Sequence, residues 1–177
     1  MCPGLPLERL TILKQVPTRA AIGVATTLLA SSLALAARAD DASPWQRDGH
    51  SAVRLLAGSR SGAVLLGGIA FQLQPGWKTY WRIPGDSGVP PRFDFSASEN
   101  ASGATIDYPA PERSDDGFSV SNVYHDRVLL PVRFEGGDPA RPARLTLAAD
   151  LGVCKDICLP VSLSASLDVP LGEAEPA

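Results

Sequence analysis

Histidine is nearly missing from this sequence. His50 and His125 are the only two in 177 residues. No nucleophile, histidine and carboxylate stand in an arrangement that would mark a hydrolase. Cysteine is almost as scarce: Cys2, Cys154 and Cys158 are the full set. No segment holds a helical apolar period over three turns, which excludes a helical bundle or a coiled coil. There is no internal repeat and no low-complexity tract. Hydrophobic residues make up 45% and charged residues 20%, so the chain is not compositionally disordered.

One long apolar run does occur, and it lies near the N-terminus. Arg9, Lys14 and Arg19 precede the uncharged stretch Ala20–Ala36, and Ala37-Arg38-Ala39 supplies a small-x-small cleavage site. That order predicts a cleaved secretory signal peptide over residues 1–39. The run is at the short limit for a spanning helix, and no cysteine follows it closely enough for a lipid anchor. Cleavage after Ala39 removes Cys2. It leaves 12 basic and 18 acidic residues, a net charge of −6. That balance argues against nucleic acid or an anionic membrane as partner. No later stretch is long enough to span a bilayer, so the expected product is soluble and exported.

Sixteen Gly and sixteen Pro punctuate the remainder, which favours short strands and turns. Residues 40–50 are polar, with Pro44 and Trp45, and read as a flexible lead-in. Ser51–Ala57 and Ala63–Gln74 read as strands joined by a turn at Gly58–Gly62. Trp77–Ile83, Pro91–Phe95, Ala104–Tyr108, Val123–Phe134, Ala143–Val153 and Leu159–Leu171 follow, with Pro109–Asn122 as a polar loop. Trp77 and Trp81 fall on one face of their strand and Tyr80 on the other, a pattern of core packing. Asp86 and Ser87 read as turn builders. About eight short strands over 51–172 predict an all-β fold, an immunoglobulin-like antiparallel β-sandwich, with 173–177 as a frayed tail.

The two remaining cysteines sit in Cys154-Lys155-Asp156-Ile157-Cys158. In a straight strand their Cα atoms would lie about 13 Å apart, too far for a disulfide. The strand-like flanks favour a β-hairpin with Lys155-Asp156-Ile157 at its tip; a single helical turn is the alternative. A ring of five residues stabilises by only about 2 kcal/mol, against nearly 5 for a ring of about 100. So small a ring suits a bond that opens and closes better than a staple. A nearby second thiol also lets exchange run to completion. A structural disulfide and a Cu(I) site with His50 or His125 stay open as alternatives.

Three blocks resemble a known family. They are Gly76-Trp77-Lys78-Thr79-Tyr80-Trp81-Arg82-Ile83-Pro84-Gly85-Asp86-Ser87-Gly88-Val89-Pro90-Pro91, Tyr124-His125-Asp126-Arg127-Val128-Leu129-Leu130-Pro131-Val132, and Gly152-Val153-Cys154-Lys155-Asp156-Ile157-Cys158-Leu159-Pro160. In that order they resemble the N-terminal periplasmic domain of the thiol:disulfide interchange proteins DsbD and ScsB. The resemblance implies an immunoglobulin-like periplasmic thiol–disulfide oxidoreductase of the protein-disulfide reductase type, with no cofactor and no metal. It implies electron relay from a membrane-linked thioredoxin-like donor to periplasmic client proteins. It casts Cys158 as the attacking thiol and Cys154 as the resolving one. It also implies a cap loop at Arg113–Ser119, with Asp115, Asp116 and Phe118; simple core packing is the alternative for Phe118. The chain carries neither a transporter segment nor a thioredoxin-like domain, so the donor is expected to be a separate protein. The rival reading is a Cu(I)-binding or partner-docking sandwich with an incidental disulfide.

Overall fold

The computed structural model describes residues 41–171. The expected signal peptide, Asp40, Gly172 and the expected tail at 173–177 lie outside the described residues. Eleven strands follow in order: β1 Gln46–Arg47, β2 Ser51–Ser61, β3 Val64–Leu73, β4 Lys78–Gly85, β5 Arg92–Asp94, β6 Ser102–Ile106, β7 Glu112–Asp115, β8 Val120–His125, β9 Arg127–Glu135, β10 Ala143–Cys154 and β11 Cys158–Val169. They form two antiparallel sheets. One has the order β1-β2-β3-β9-β6; the other has the order β11-β10-β4-β8-β7, with β5 paired to β10. This is the expected β-sandwich. Among the described residues no helix is long and apolar enough to cross a membrane.

Period-2 alternation builds the core. Val53 and Leu55 of β2, Ile69 and Phe71 of β3, and Leu130 and Val132 of β9 point inward from one sheet. Leu145, Leu147 and Ala149 of β10 meet them from the other. Trp77 and Trp81 pack against this core, whereas Tyr80 joins a separate small cluster with Val123 and Cys154 on the opposite face of its sheet. The predicted split of the aromatic run across two faces is therefore observed.

Three local features differ from the sequence expectation. The single strand expected over Val123–Phe134 is two strands in different sheets, β8 and β9. The chain breaks at Asp126, which has φ 50°, a left-handed conformation that aspartate tolerates better than most residues. Apolar alternation runs through the break, so it could not reveal the change of sheet. The polar loop expected at Pro109–Asn122 is largely a hairpin, β7–β8, held by backbone pairing of Glu112–Asp115 with Val120–Val123. An exposed strand carries little apolar signal. The turn expected at Gly58–Gly62 begins later: β2 continues to Ser61 past an irregularity between Ala57 and Arg60.

Within residues 41–50, read from sequence as a flexible lead-in, Asp41–Arg47 runs back along β2. Ser43 is buried; its amide donates to the Leu55 carbonyl at 2.9 Å and its Oγ accepts from the Leu55 amide at 2.9 Å.

Candidate functional site

The longest ladder among the described residues aims the cysteines. β10 and β11 pair over twelve positions, from Ala143 opposite Val169 to Cys154 opposite Cys158. Lys155-Asp156-Ile157 closes the tip, where the Lys155 amide donates to the Ile157 carbonyl at 3.0 Å. Cys154 and Cys158 are disulfide-bonded with their Cα atoms 4.1 Å apart. Their surroundings differ. Cys154 is 1% exposed, whereas Cys158 lies on the surface.

β4 collects the three sequence blocks at one place. It lies between β10 and β8, and Lys78 is in register with Cys154 on one side and His125 on the other. The aromatic block, the Tyr124–Arg127 block and the cysteine block are distant in sequence but adjacent across one sheet. Two positions along from Lys78, Tyr80 projects from the same face. Its hydroxyl lies 3.2 Å from Cys154 Sγ, donating to it, and 3.6 Å from Cys158 Sγ. Burial raises the Tyr80 pKa above its ordinary value, and the nearby Asp116 charge raises it further. The phenol therefore stays protonated and remains a donor toward sulfur at neutral pH.

The Gly85–Gly88 turn positions both Tyr80 and the β7–β8 hairpin. Gly88 has φ 113°, a conformation that favours glycine. A Cβ there would overlap the Tyr80 ring. Asp86 accepts the Val120 amide at 3.1 Å, and its own amide donates to the Val120 carbonyl at 2.9 Å. Ser87 Oγ is 3.0 Å from both Ser119 Oγ and Ser121 Oγ. Asp86 and Ser87 thus act across the sheet, fastening this turn to the β7–β8 hairpin, rather than serving only their own turn.

The predicted cap segment forms the β7–β8 hairpin. Asp115 accepts the Gly117 amide at 3.0 Å, and Asp116 accepts the Phe118 and Ser119 amides at 3.0 and 2.8 Å. The Phe118 and Ser119 amide bonds hold the Asp116 carboxyl below its usual range, with smaller help from the Ser119 hydroxyl and the Lys78 charge. Lys78 Nζ reaches across to Ser114 Oγ at 3.1 Å. Phe118 is 101% exposed. It is not a core residue, and in this arrangement it covers neither sulfur. The histidines lie elsewhere in role: His125 pairs with Glu112 at 3.3 Å, and His50 stacks on Trp77 at 3.8 Å between ring centroids. Among the described residues no group of three His, Cys, Asp or Glu side chains converges to hold a metal.

Residues 52–169 match the family described as "Thiol:disulfide interchange protein DsbD, N-terminal". The chain belongs to this family. Among solved structures, the N-terminal periplasmic domain of ScsB from Proteus mirabilis is similar at 28% identity with TM-score 0.62, covering 78% of this chain. The match takes in 54% of that domain, about half its length. The reduced DsbD N-terminal domain from Neisseria meningitidis is similar at 17% identity with TM-score 0.40, covering 67% of this chain and 83% of that one. The search of curated proteins finds no match.

In this DsbD N-terminal-type domain, a Cys154–Cys158 disulfide on the sandwich supports thiol–disulfide exchange as the chemistry. Sequence reasoning found both cysteines but read the β7–β8 hairpin as a polar loop. It left Tyr80 to core packing and gave Gly88 no role. The signal for Tyr80 was present, since it faces away from Trp77 and Trp81. Nothing in the pattern said that Cys154 would be waiting on that side.

Proposed function

We propose that this domain is a periplasmic thiol–disulfide exchange module that passes electrons from a membrane-linked thioredoxin-like donor to disulfide-containing client proteins. The observation that carries the reading is the asymmetry of the pair: Cys158 is exposed, Cys154 is buried, and a protonated phenol lies beside both sulfurs.

In the reduced domain, the Cys158 thiolate attacks one sulfur of a client disulfide. A Cys158–client bond forms, the client bond breaks, and the leaving client sulfur takes a proton. Cys154, as thiolate, then attacks Cys158 Sγ and expels the second client sulfur, which is protonated in turn. Two electrons and two protons have passed to the client, and the Cys154–Cys158 bond has re-formed. The donor's dithiol runs the same steps in reverse. Tyr80 would donate to the Cys154 sulfur as charge builds on it. Phe118, Asp115 and Asp116 form a cap hairpin whose exposed aromatic is free to meet a partner. The expected leader, cleaved after Ala39, delivers the domain to the compartment where such clients occur.

The test is trapping. Cys154→Ser, which leaves Cys158 without its resolving thiol, should accumulate mixed disulfides with clients and donor, and Cys158→Ser should not. Equal trapping by both variants, or by neither, overturns the assigned direction of attack. A reduction potential below about −300 mV would mark the bond as structural and sink the exchange reading as a whole.

A further inference from the structure

The acidic balance of the whole chain conceals a segregation of charge. The strands of the β1-β2-β3-β9-β6 sheet carry five arginines, Arg47, Arg54, Arg60, Arg127 and Arg133, and a single carboxylate, Glu135. Arg133 pairs with Glu135 at 3.1 Å, and Arg60 donates to the Arg141 and Asp138 carbonyls. Among the described residues Arg47, Arg54 and Arg127 have no carboxylate partner.

Cross-strand register places these three together on the outer face. Arg54 lies opposite Ala70, which lies opposite Leu129; in the next row Arg47, Ala52, Gln72 and Arg127 follow in line. The Arg54 guanidinium sits 4.5 Å above the Trp45 ring and that of Arg47 sits 5.8 Å from it. The surface here is a shallow depression of about 410 Å³ between Trp45, Arg54 and Arg127. Large apolar side chains continue the face, with Leu129 48% and Leu66 43% exposed.

From this arrangement we infer that the outer face of this sheet rests on an anionic phospholipid surface. Arginine binds phosphate through a planar fork, tryptophan settles at the headgroup level, and exposed leucines gain by entering the acyl boundary. Gln72 is the one neutral hydrogen-bonding side chain in the two rows. The face therefore offers charge and apolar insertion rather than the polar readout that selects an acidic protein. Net negative charge does not forbid the contact. The two sheets of a sandwich lie about 10 Å apart, and exposed charges beyond about 8 Å are largely screened at physiological salt. The disulfide lies on the outer face of the other sheet, so the contact leaves it open to partners. The inference does not depend on the exchange reading.

The experiment is co-sedimentation of the chain from Asp40 onward with vesicles of phosphatidylglycerol and phosphatidylcholine, against phosphatidylcholine alone. Binding is expected only to the anionic vesicles, and weaker at about 150 mM than at about 50 mM salt. The double variant Arg54→Ser/Arg127→Ser should lose roughly fivefold per arginine, about 25-fold in all. Quenching of tryptophan fluorescence by brominated anionic lipid in the parent protein, lost in Trp45→Phe, keeps the test independent of how the double variant folds. No binding to anionic vesicles, equal binding to neutral ones, or an undiminished double variant overturns it. Binding to polyglutamate without vesicle binding would assign the face to an acidic protein and overturn it as well.

Discussion

Tyr80 and Cys154 come from neighbouring strands, and the phenolic oxygen of the first lies 3.2 Å from the sulfur of the second. Tyr80 is buried with Val123 and Cys154 in a cluster separate from the sandwich core. Burial keeps the hydroxyl protonated, and a hydroxyl donor next to sulfur stabilises thiolate over thiol. The buried cysteine thus has a built-in partner for the moment it carries charge.

Tyr80→Phe isolates that hydroxyl while keeping the ring that packs in the cluster. A hydrogen bond to a charged group contributes about 1.5–3 kcal/mol, and one pKa unit corresponds to about 1.4 kcal/mol. The Cys154 thiol pKa should rise by about 1–2 units, with release of client from the mixed disulfide slowed to match. Thiolate absorbance against pH in the reduced Cys158→Ser background measures it. Superimposable titrations of parent and variant would remove Tyr80 from the chemistry.

Gly88→Ala is expected to destabilise by about 1–3 kcal/mol, through overlap with the Tyr80 ring and the left-handed backbone. It should also shift the Cys154 titration in the same direction as Tyr80→Phe, because the ring must move. Urea unfolding together with the thiol titration checks both. A stability loss with an unmoved titration would limit Gly88 to folding.

Phe118→Ala should leave unfolding free energy within about 0.5 kcal/mol of the parent, as expected for a side chain that buries nothing. Reduction of the disulfide by a small thiol should also be unchanged, since Phe118 shields neither sulfur. If the side chain meets partners, exchange with a protein substrate should slow. Faster reduction by glutathione in the variant would show that Phe118 spends its time closed over the sulfurs.

Alkaline pH should weaken the fold. Burial raises the pKa values of Tyr80 and Tyr108 above 10, and burial with the neighbouring Tyr108 pushes Tyr124 up to about 12. The unfolded chain would release these protons near pH 10, before the folded one does. Stability is therefore fully present below pH 10 and falls as pH rises from about 10 to 12. Urea midpoints at about pH 9 and 11 test this. Tyr124→Phe should flatten the pH dependence while losing the 2.7 Å bond to the Pro109 carbonyl.

Sequence pattern carried much of the fold because inward-facing residues of a sandwich alternate and turns are marked by Gly and Pro. Alternation placed Trp77 and Trp81 opposite Tyr80, and spacing turned Cys154–Cys158 into a hairpin tip. It misjudged the run across Asp126, where apolar alternation persists through a change of sheet. It also missed the β7–β8 hairpin, because β7 (Glu112–Asp115) has no apolar side chain and is held to β8 by backbone hydrogen bonds.

What the sequence determined alone was therefore the covalent and local part: a sandwich of short strands, one usable cysteine pair, and a tip tight enough to close a five-residue ring. The tertiary structure decided which cysteine is buried, that a tyrosine 74 positions away reaches it, and that a glycine turn is fastened to the β7–β8 hairpin. Local propensity depends on near neighbours, whereas these contacts depend on the order in which strands pair. Lys78, in register with Cys154 and His125 at once, belongs to that second kind.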